Sequence, residues 1–264
     1  MTEGQPTKPN NPLFEKVVQS KDTKRIVVAG PGTGKTLLFK ELLLARSKNT
    51  LTLTFINSLV DELALELCGL TEPKTLHAFA RSLLHKANGA NSIPVSSHLT
   101  EIIGLDYEVV TGKTVDYRKI FHLVEDDEEA ISFYKKRQKF YEHYCYADLI
   151  YDAVTHLSDA KNQKDIPIFD QIFVDEFQDF NELEVRFIEL LAQKSPVLLV
   201  GDDNQALYDR KHASTKHIRE RYSGVVPGYS PSLLINAGET LRLSLAPSTT
   251  WLAMQFLKAF FRTE

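Results

Sequence analysis

The chain has 264 residues, 43% of them hydrophobic and 25% charged, with a net charge of −4. Such values are those of a globular protein with one large domain or two small ones, and the acidic balance excludes a protein that coats nucleic acid by bulk charge, though not one with a local basic groove. Only two cysteines occur, Cys68 and Cys145, with no CxxC pair, which excludes a disulfide framework or a zinc knuckle; His143 beside Cys145 reads as packing rather than as a metal site.

In chain order, Met1 to Pro12 is polar and proline-bearing and reads as a loose tail without the apolar stretch of a signal peptide. No apolar run reaches membrane-spanning length, so the expectation is a cytoplasmic protein with no membrane partner. Phe14 to Ser20 fits a short helix. Ile26 to Ala29 is a β-branched run suited to a buried strand, and Lys35 to Arg46 fits the helix after the turn between them. Thr50 to Phe55 alternates as a strand does. Ser58 to Cys68 has helical spacing that Gly69 can end, and Thr75 to Lys86 reads as a second amphipathic helix. This alternation predicts a parallel sheet with helices on its faces.

From Ala87 to Tyr146 the rhythm changes and predicts an inserted helical segment. Within it, Phe133, Phe140, Tyr141 and Tyr144 fall on one helical face, and Lys135, Lys136 and Lys139 largely on the other. That arrangement predicts a packed aromatic face with a solvated basic back, the alternative being a nucleic-acid groove. Ala147 to Leu157 and Glu182 to Ala192 read as helices, Ile172 to Val174 and Pro196 to Val200 as buried strands. His212 to Arg221 and Ser248 to Phe261 read as helices around a linker rich in Pro, Gly and Ser, Ser223 to Gly238.

The stretch Arg25 to Thr36, RIVVAGPGTGKT, carries the chemistry. Gly30, Gly32 and Gly34 allow a tight turn whose N–H groups point at an anion, with Pro31 and Thr33 between them. Lys35 supplies a cation for β- and γ-phosphates, and the hydroxyl of Thr36 can ligate Mg²⁺. The following helix aims its positive end at the same phosphates. In IFVDEFQDF (Ile172 to Phe180), a strand ending in acid places two carboxylates at the sheet's carboxyl edge. Asp175 is placed to hold Mg²⁺ and Glu176 to deprotonate an attacking water. In VLLVGDDNQALY, Gln205 just past a strand is placed to sense the γ-phosphate.

The order AGPGTGKT, TFINS, TLHAFA, VDEFQDF, VGDDNQALY resembles the first RecA-like domain of superfamily 1 helicases of the UvrD/Rep type, from about Ile26 to Tyr208. The resemblance implies an α/β P-loop NTPase with a parallel sheet, helices on both faces and a small helical insertion. Residues 1–12 would be a flexible tail, 13–86 and 147–264 the two parts of the ATP-binding domain, and 87–146 the insertion. The implied cofactors are ATP and Mg²⁺, held by Gly30 to Thr36, with Lys35, Asp175, Glu176 and Gln205 catalytic. Phe55, Asn57 and His77 would lie along single-stranded DNA, with Tyr208 and Arg210 beside them.

Three departures accompany the likeness. Phe14 to Lys24 shows no convincing adenine-reading glutamine motif, Gln19 being its only glutamine. Arg210 stands where the family stacks an aromatic on a base. Ala246-Pro247-Ser248 lies near the place of a tyrosine-arginine-serine motif, and no arginine occurs from Leu243 to Phe261. The expectation is an ATP-hydrolysing helicase or translocase core, weakly active alone and completed by a second RecA-like domain or partner subunit beyond Glu264. The alternative is a nucleotide-dependent switch in a repair or defence complex. A small-molecule kinase fits less well, because Glu176 and Gln205 suit a water nucleophile.

Overall fold

The computed structural model describes residues 12–30, 32–46, 49–55, 57–67, 69–89, 94–202 and 216–234. Helix α1 (Pro12–Gln19) leads into β1 (Lys24–Ala29), α2 (Lys35–Arg46), β2 (Thr50–Thr54), α3 (Asn57–Leu67), β3 (Pro73–Thr75) and α4 (Leu76–Asn88). Three helices follow, α5 (Leu99–Thr111), α6 (Tyr117–Phe121) and α7 (Glu128–Tyr141), before α8 (Tyr146–Ser158). The chain then forms β4 (Gln171–Val174), α9 (Glu182–Leu191), β5 (Val197–Gly201), α10 (Lys216–Tyr222) and β6 (Ser230–Leu234). The six strands make one sheet in the order β3-β2-β4-β5-β1-β6, and every pair is parallel.

Strand alternation sorts the apolar residues onto two faces. Ile26, Val28, Leu51, Leu53, Ile172, Val174, Val197 and Leu199 join the larger core with residues of α4, α8, α9 and α10. Their neighbours Val27, Ala29, Phe173, Leu198 and Val200 face the opposite way and pack with α1, α2 and α3. Both faces are therefore covered, as a parallel sheet requires. This is the α/β sheet with helices on both faces that the sequence predicts.

Two edge strands escaped the sequence reading. β3 is three residues long and opens on Pro73, and β6 carries Pro231 inside the segment read as a linker. Proline donates no backbone hydrogen bond, so it argues against a strand except at a sheet edge, where both of these lie.

Helices α5 to α7 build a separate, ring-rich core around Tyr117, Phe121 and Tyr134. The Tyr134 ring lies 4.7 Å from that of Tyr117 and 4.6 Å from that of Phe121. The aromatic face expected on α7 is met in part: Phe133 and Tyr141 pack half-buried against this core and Tyr144 against the larger one, but the helix buries a different line most deeply. Its buried line is Ala130, Tyr134 and Gln138, whereas Phe140 is 71% exposed. The reason is a polar partner: the Tyr134 hydroxyl donates to Asp148 Oδ2 at 2.6 Å, so this ring can be buried whole. Of the basic back, Lys136 and Lys139 are exposed as expected, whereas Lys135 is engaged. Lys135 pairs with Asp152 and Arg137 with Asp106.

Candidate active site and adjoining cleft

In a parallel sheet all strands end on one edge, and loops there gather ligand-binding groups. β1 ends in Ala29, fully buried, so the small side chain at the head of the loop fits the core. Gly32 and Gly34 have φ of 68° and 89°, backbone that only glycine adopts without strain. Gly30 has no such φ. The Thr33 hydroxyl donates to the Gly30 carbonyl at 2.8 Å and closes the turn, and Lys35 and Thr36 form the first turn of α2. Pro31, Gln205, Tyr208 and Arg210 lie outside the described residues, as do the segments expected at Leu241 to Ser248 and Ser248 to Phe261.

β5 lies between β1 and β4, so groups from the latter two meet across its carboxyl end. Lys35 Nζ donates to Glu176 Oε1 at 2.7 Å, joining residues 141 apart in sequence. Glu176 has φ 51° and ψ 45°, left-handed backbone that costs a non-glycine residue about 1–2 kcal/mol. Such strain concentrates at functional positions. Its neighbour Asp175 is buried, and Asp175 Oδ1 has no hydrogen-bond partner among the described residues. Burial, reinforced by the Glu176 charge, pushes the Asp175 carboxyl up to about 7, while Lys35 opposes the shift.

The donor set fits a divalent cation. A buried carboxylate oxygen without a partner, next to a second carboxylate, is stabilised by positive charge, and Thr36 supplies a hydroxyl at the start of α2. Among the described residues there is no cluster of three or more His, Cys, Asp or Glu able to hold a metal alone.

Phe55, Asn57 and His77 come together in one cleft of about 670 Å³. Its walls are the end of β2, the start of α3, the β3–α4 junction, α6 and the starts of α8 and α9. Phe55 is buried and meets Phe180 edge-on at 5.8 Å. Asn57 is exposed at the first turn of α3. His77 does not cap α4. That role falls to Thr75, whose hydroxyl accepts from the Ala78 N–H at 3.2 Å. The His77 ring sits edge-on to Tyr146 at 5.6 Å, and its Nε2 lies 4.0 Å from Glu184 Oε1. Arg81, Arg118, His122 and Tyr146, none of them singled out from sequence, also line the cleft. Their signal was weak, since they come from separate helices that only the fold brings together.

A glycine loop between strand and helix, with a lysine meeting the acid that follows another strand of the same parallel sheet, defines a P-loop NTPase. Comparison with known proteins carries this further. The AAA domain family matches residues 15–211, and the chain belongs to that family. Within it, this is a superfamily 1 helicase ATP-binding domain of the UvrD/Rep type. Over 117 residues the chain is 28% identical to the exonuclease/helicase subunit RexA of Lactococcus lactis subsp. cremoris, a match covering 42% of this chain and 10% of that protein. It is 38% identical over 76 residues to DNA helicase II of Escherichia coli, covering 28% of this chain and 9% of the relative. It is 42% identical over 53 residues to DNA helicase II of Haemophilus influenzae, covering 20% and 7%. The chain thus matches no more than about a tenth of the length of these relatives. Among the described residues no helix is long and apolar enough to cross a membrane.

Proposed function

We propose that this chain binds and hydrolyses ATP at the carboxyl edge of β1 and β4 and couples the nucleotide state to a single nucleic-acid strand in the adjoining cleft. The observation that carries the reading is the 2.7 Å contact of Lys35 with Glu176, beside the unpartnered oxygen of Asp175. The N–H groups of the loop from Gly30 to Gly34 and the Lys35 ammonium hold the phosphates. Lys35 exchanges Glu176 for them, which leaves that carboxylate able to accept a proton. Thr36 and Asp175 hold Mg²⁺, which when bound neutralises charge on the β- and γ-phosphates. In hydrolysis a water oxygen attacks the γ-phosphorus, its proton passes to Glu176, and the bond to the β–γ bridging oxygen breaks to release ADP. Gln205, by the resemblance of its motif, senses the γ-phosphate.

The cleft suits an unpaired strand. Tyr146 and His77 offer rings for stacking, and Arg81 offers charge for phosphates, joined by Arg118 where a phosphate displaces its partner Glu101. Tyr208 and Arg210 are assigned to the same strand by the resemblance of their motif alone. Turnover by the chain alone is slow, since an arginine finger is worth about 10³–10⁵ in rate and the family's arginine motif is altered here. A second RecA-like domain or partner subunit completes the motor.

The test is fluorescence anisotropy with labelled oligothymidine at two salt concentrations, with and without Mg·ATP. Expected is salt-sensitive binding in the range of about 10⁻⁴–10⁻⁶ M, weakened by His77→Ala and by Arg210→Ala. Absence of binding at low salt, even with a separately expressed second domain, would instead favour the nucleotide-dependent switch.

A further inference from the structure

Glu176 has two described partners, and they differ in what a phosphate does to them. Lys35 holds Oε1, and the Gln178 amide donates from Nε2 to Oε2 at 2.7 Å. A bound phosphate competes for the lysine, because both phosphate and Glu176 are anions seeking the same ammonium. It does not compete for an amide already turned toward Glu176. Gln178 is therefore the group that still orients the carboxylate when Lys35 has turned to the nucleotide.

The other end of Gln178 is tied to a different strand. Its Oε1 accepts from the Asp202 N–H at 2.9 Å, immediately after β5. The Asp202 amide can only donate, so the oxygen of the Gln178 amide must face β5 and its NH₂ must face Glu176. Gln178 is 2% exposed, and the bridge is shielded from water. Gly201 is what makes room for it. A Cβ there would stand 2.5 Å from Gln178 Oε1, 2.9 Å from Ile218 Cδ1 and 3.2 Å from the Gln178 nitrogen. The φ of Gly201 is not positive, so it is the close approach of the amide, not backbone conformation, that calls for glycine there.

We infer that Gln178 is a positioning residue for hydrolysis: it holds the Glu176 carboxylate in register with the end of β5, the strand that leads on to Gln205. The inference rests on the assignment of Glu176 as the base. It adds that the base and the end of β5 at Asp202 are tied together through a buried amide, so that a shift of either displaces the other.

The test is single-turnover ATP hydrolysis with the full chain in varied excess over radiolabelled ATP, which separates the maximal rate from half-saturation. Gln178→Leu is expected to lower the maximal rate about ten- to a hundredfold, as for a lost hydrogen bond to a charged group, with half-saturation changed less than about threefold. Gln178→Glu keeps an acceptor for the Asp202 N–H but loses the donor, and is expected to show the same loss in a folded protein. Gly201→Ala, which displaces the amide, is expected to resemble both. In a Glu176→Gln background, Gln178→Leu should cost less than about a further twofold, because it acts through a base already removed. A wild-type rate in Gln178→Leu and Gln178→Glu, or a full additional loss on top of Glu176→Gln, would overturn the proposal. A Glu176→Gln variant that hydrolyses like wild type would instead overturn the assignment of the base on which it rests.

Discussion

Two buried aspartates, one at the start of α8 and one at the sheet edge, are shifted alike by burial and have opposite surroundings. Burial pushes both Asp148 and Asp175 up to about 7. At Asp148 both oxygens are used: Oδ2 accepts from the Tyr134 hydroxyl at 2.6 Å and Oδ1 from the Cys145 N–H at 2.8 Å. There the aspartate closes the N-terminus of α8 and locks α7 against it. At Asp175, Oδ1 has no partner among the described residues, and the next residue sits in left-handed backbone facing a lysine. A raised pKa by itself does not separate structural from functional groups. Hydrogen-bond accounting tells these two apart: both oxygens of Asp148 are satisfied within the fold, whereas Asp175 keeps one without a partner among the described residues, the one proposed to meet a ligand.

The largest effect expected concerns the unsatisfied side. Glu176→Gln should lower the single-turnover rate of ATP hydrolysis by about 10²–10⁴, the usual contribution of a general base, while leaving thermal stability near wild type. A rate loss matched by loss of folding would erase the distinction between the two regions.

The next effect sharpens the satisfied side. Asp148→Ala strands a buried hydroxyl and a backbone N–H, each worth about 1–3 kcal/mol when left unsatisfied, so urea denaturation should show marked destabilisation. Asp175→Asn strands no such donor, removes a carboxylate that burial opposes, and should cost less than about 1 kcal/mol. Equal losses at the two positions would break the comparison.

A smaller effect is read through pH. Both carboxyls titrate higher folded than unfolded, so folding disfavours their ionised forms. The stability they contribute is greatest below the unfolded value of 3.8 and declines as pH rises toward about 7. Each group can add a slope of up to about 1.4 kcal/mol per pH unit in that window. Glu101, Glu189 and Asp22, whose values are lowered, stay ionised from pH 5 upward, while His217, whose value burial lowers, works in the opposite sense, one group against two. Urea midpoints from pH 5 to 7 should therefore fall in the wild type and fall less steeply in Asp148→Asn, where Asp175 still titrates. An unchanged slope in that variant would place the titration elsewhere.

The strands and helices that could be read from sequence are those whose apolar period matches their burial. Ile26 to Ala29 and Ile172 to Val174 are unbroken apolar runs, as strands covered on both faces require, and Lys35 to Arg46 repeats at helical spacing. Edge strands β3 and β6 were hidden by proline, which signals a loop unless the sheet order is known. The turn from Gly30 to Thr36 and the acid pair after β4 were legible because each motif carries its own local geometry. Tyr134 was assigned to no face because its packing depends on a carboxylate 14 residues away. Gln178 stood in plain view two residues after Glu176, yet its reach to Asp202 is set by the neighbouring strand and by a missing side chain at Gly201. No periodicity reports such a contact.

The most direct measurement of the central claim is calorimetric titration of ATP in excess Mg²⁺ and in excess EDTA, for wild type, Lys35→Ala, Asp175→Asn and Asp148→Asn. Lys35→Ala should bind about ten- to a hundredfold more weakly, the worth of about 1.5–3 kcal/mol of charge-assisted hydrogen bonding. Mg²⁺ should tighten ATP binding in wild type and in Asp148→Asn, and that gain should vanish in Asp175→Asn. Full retention of the Mg²⁺ gain in Asp175→Asn, with Lys35→Ala binding like wild type, would contradict the assignment of this edge as a nucleotide-phosphate site.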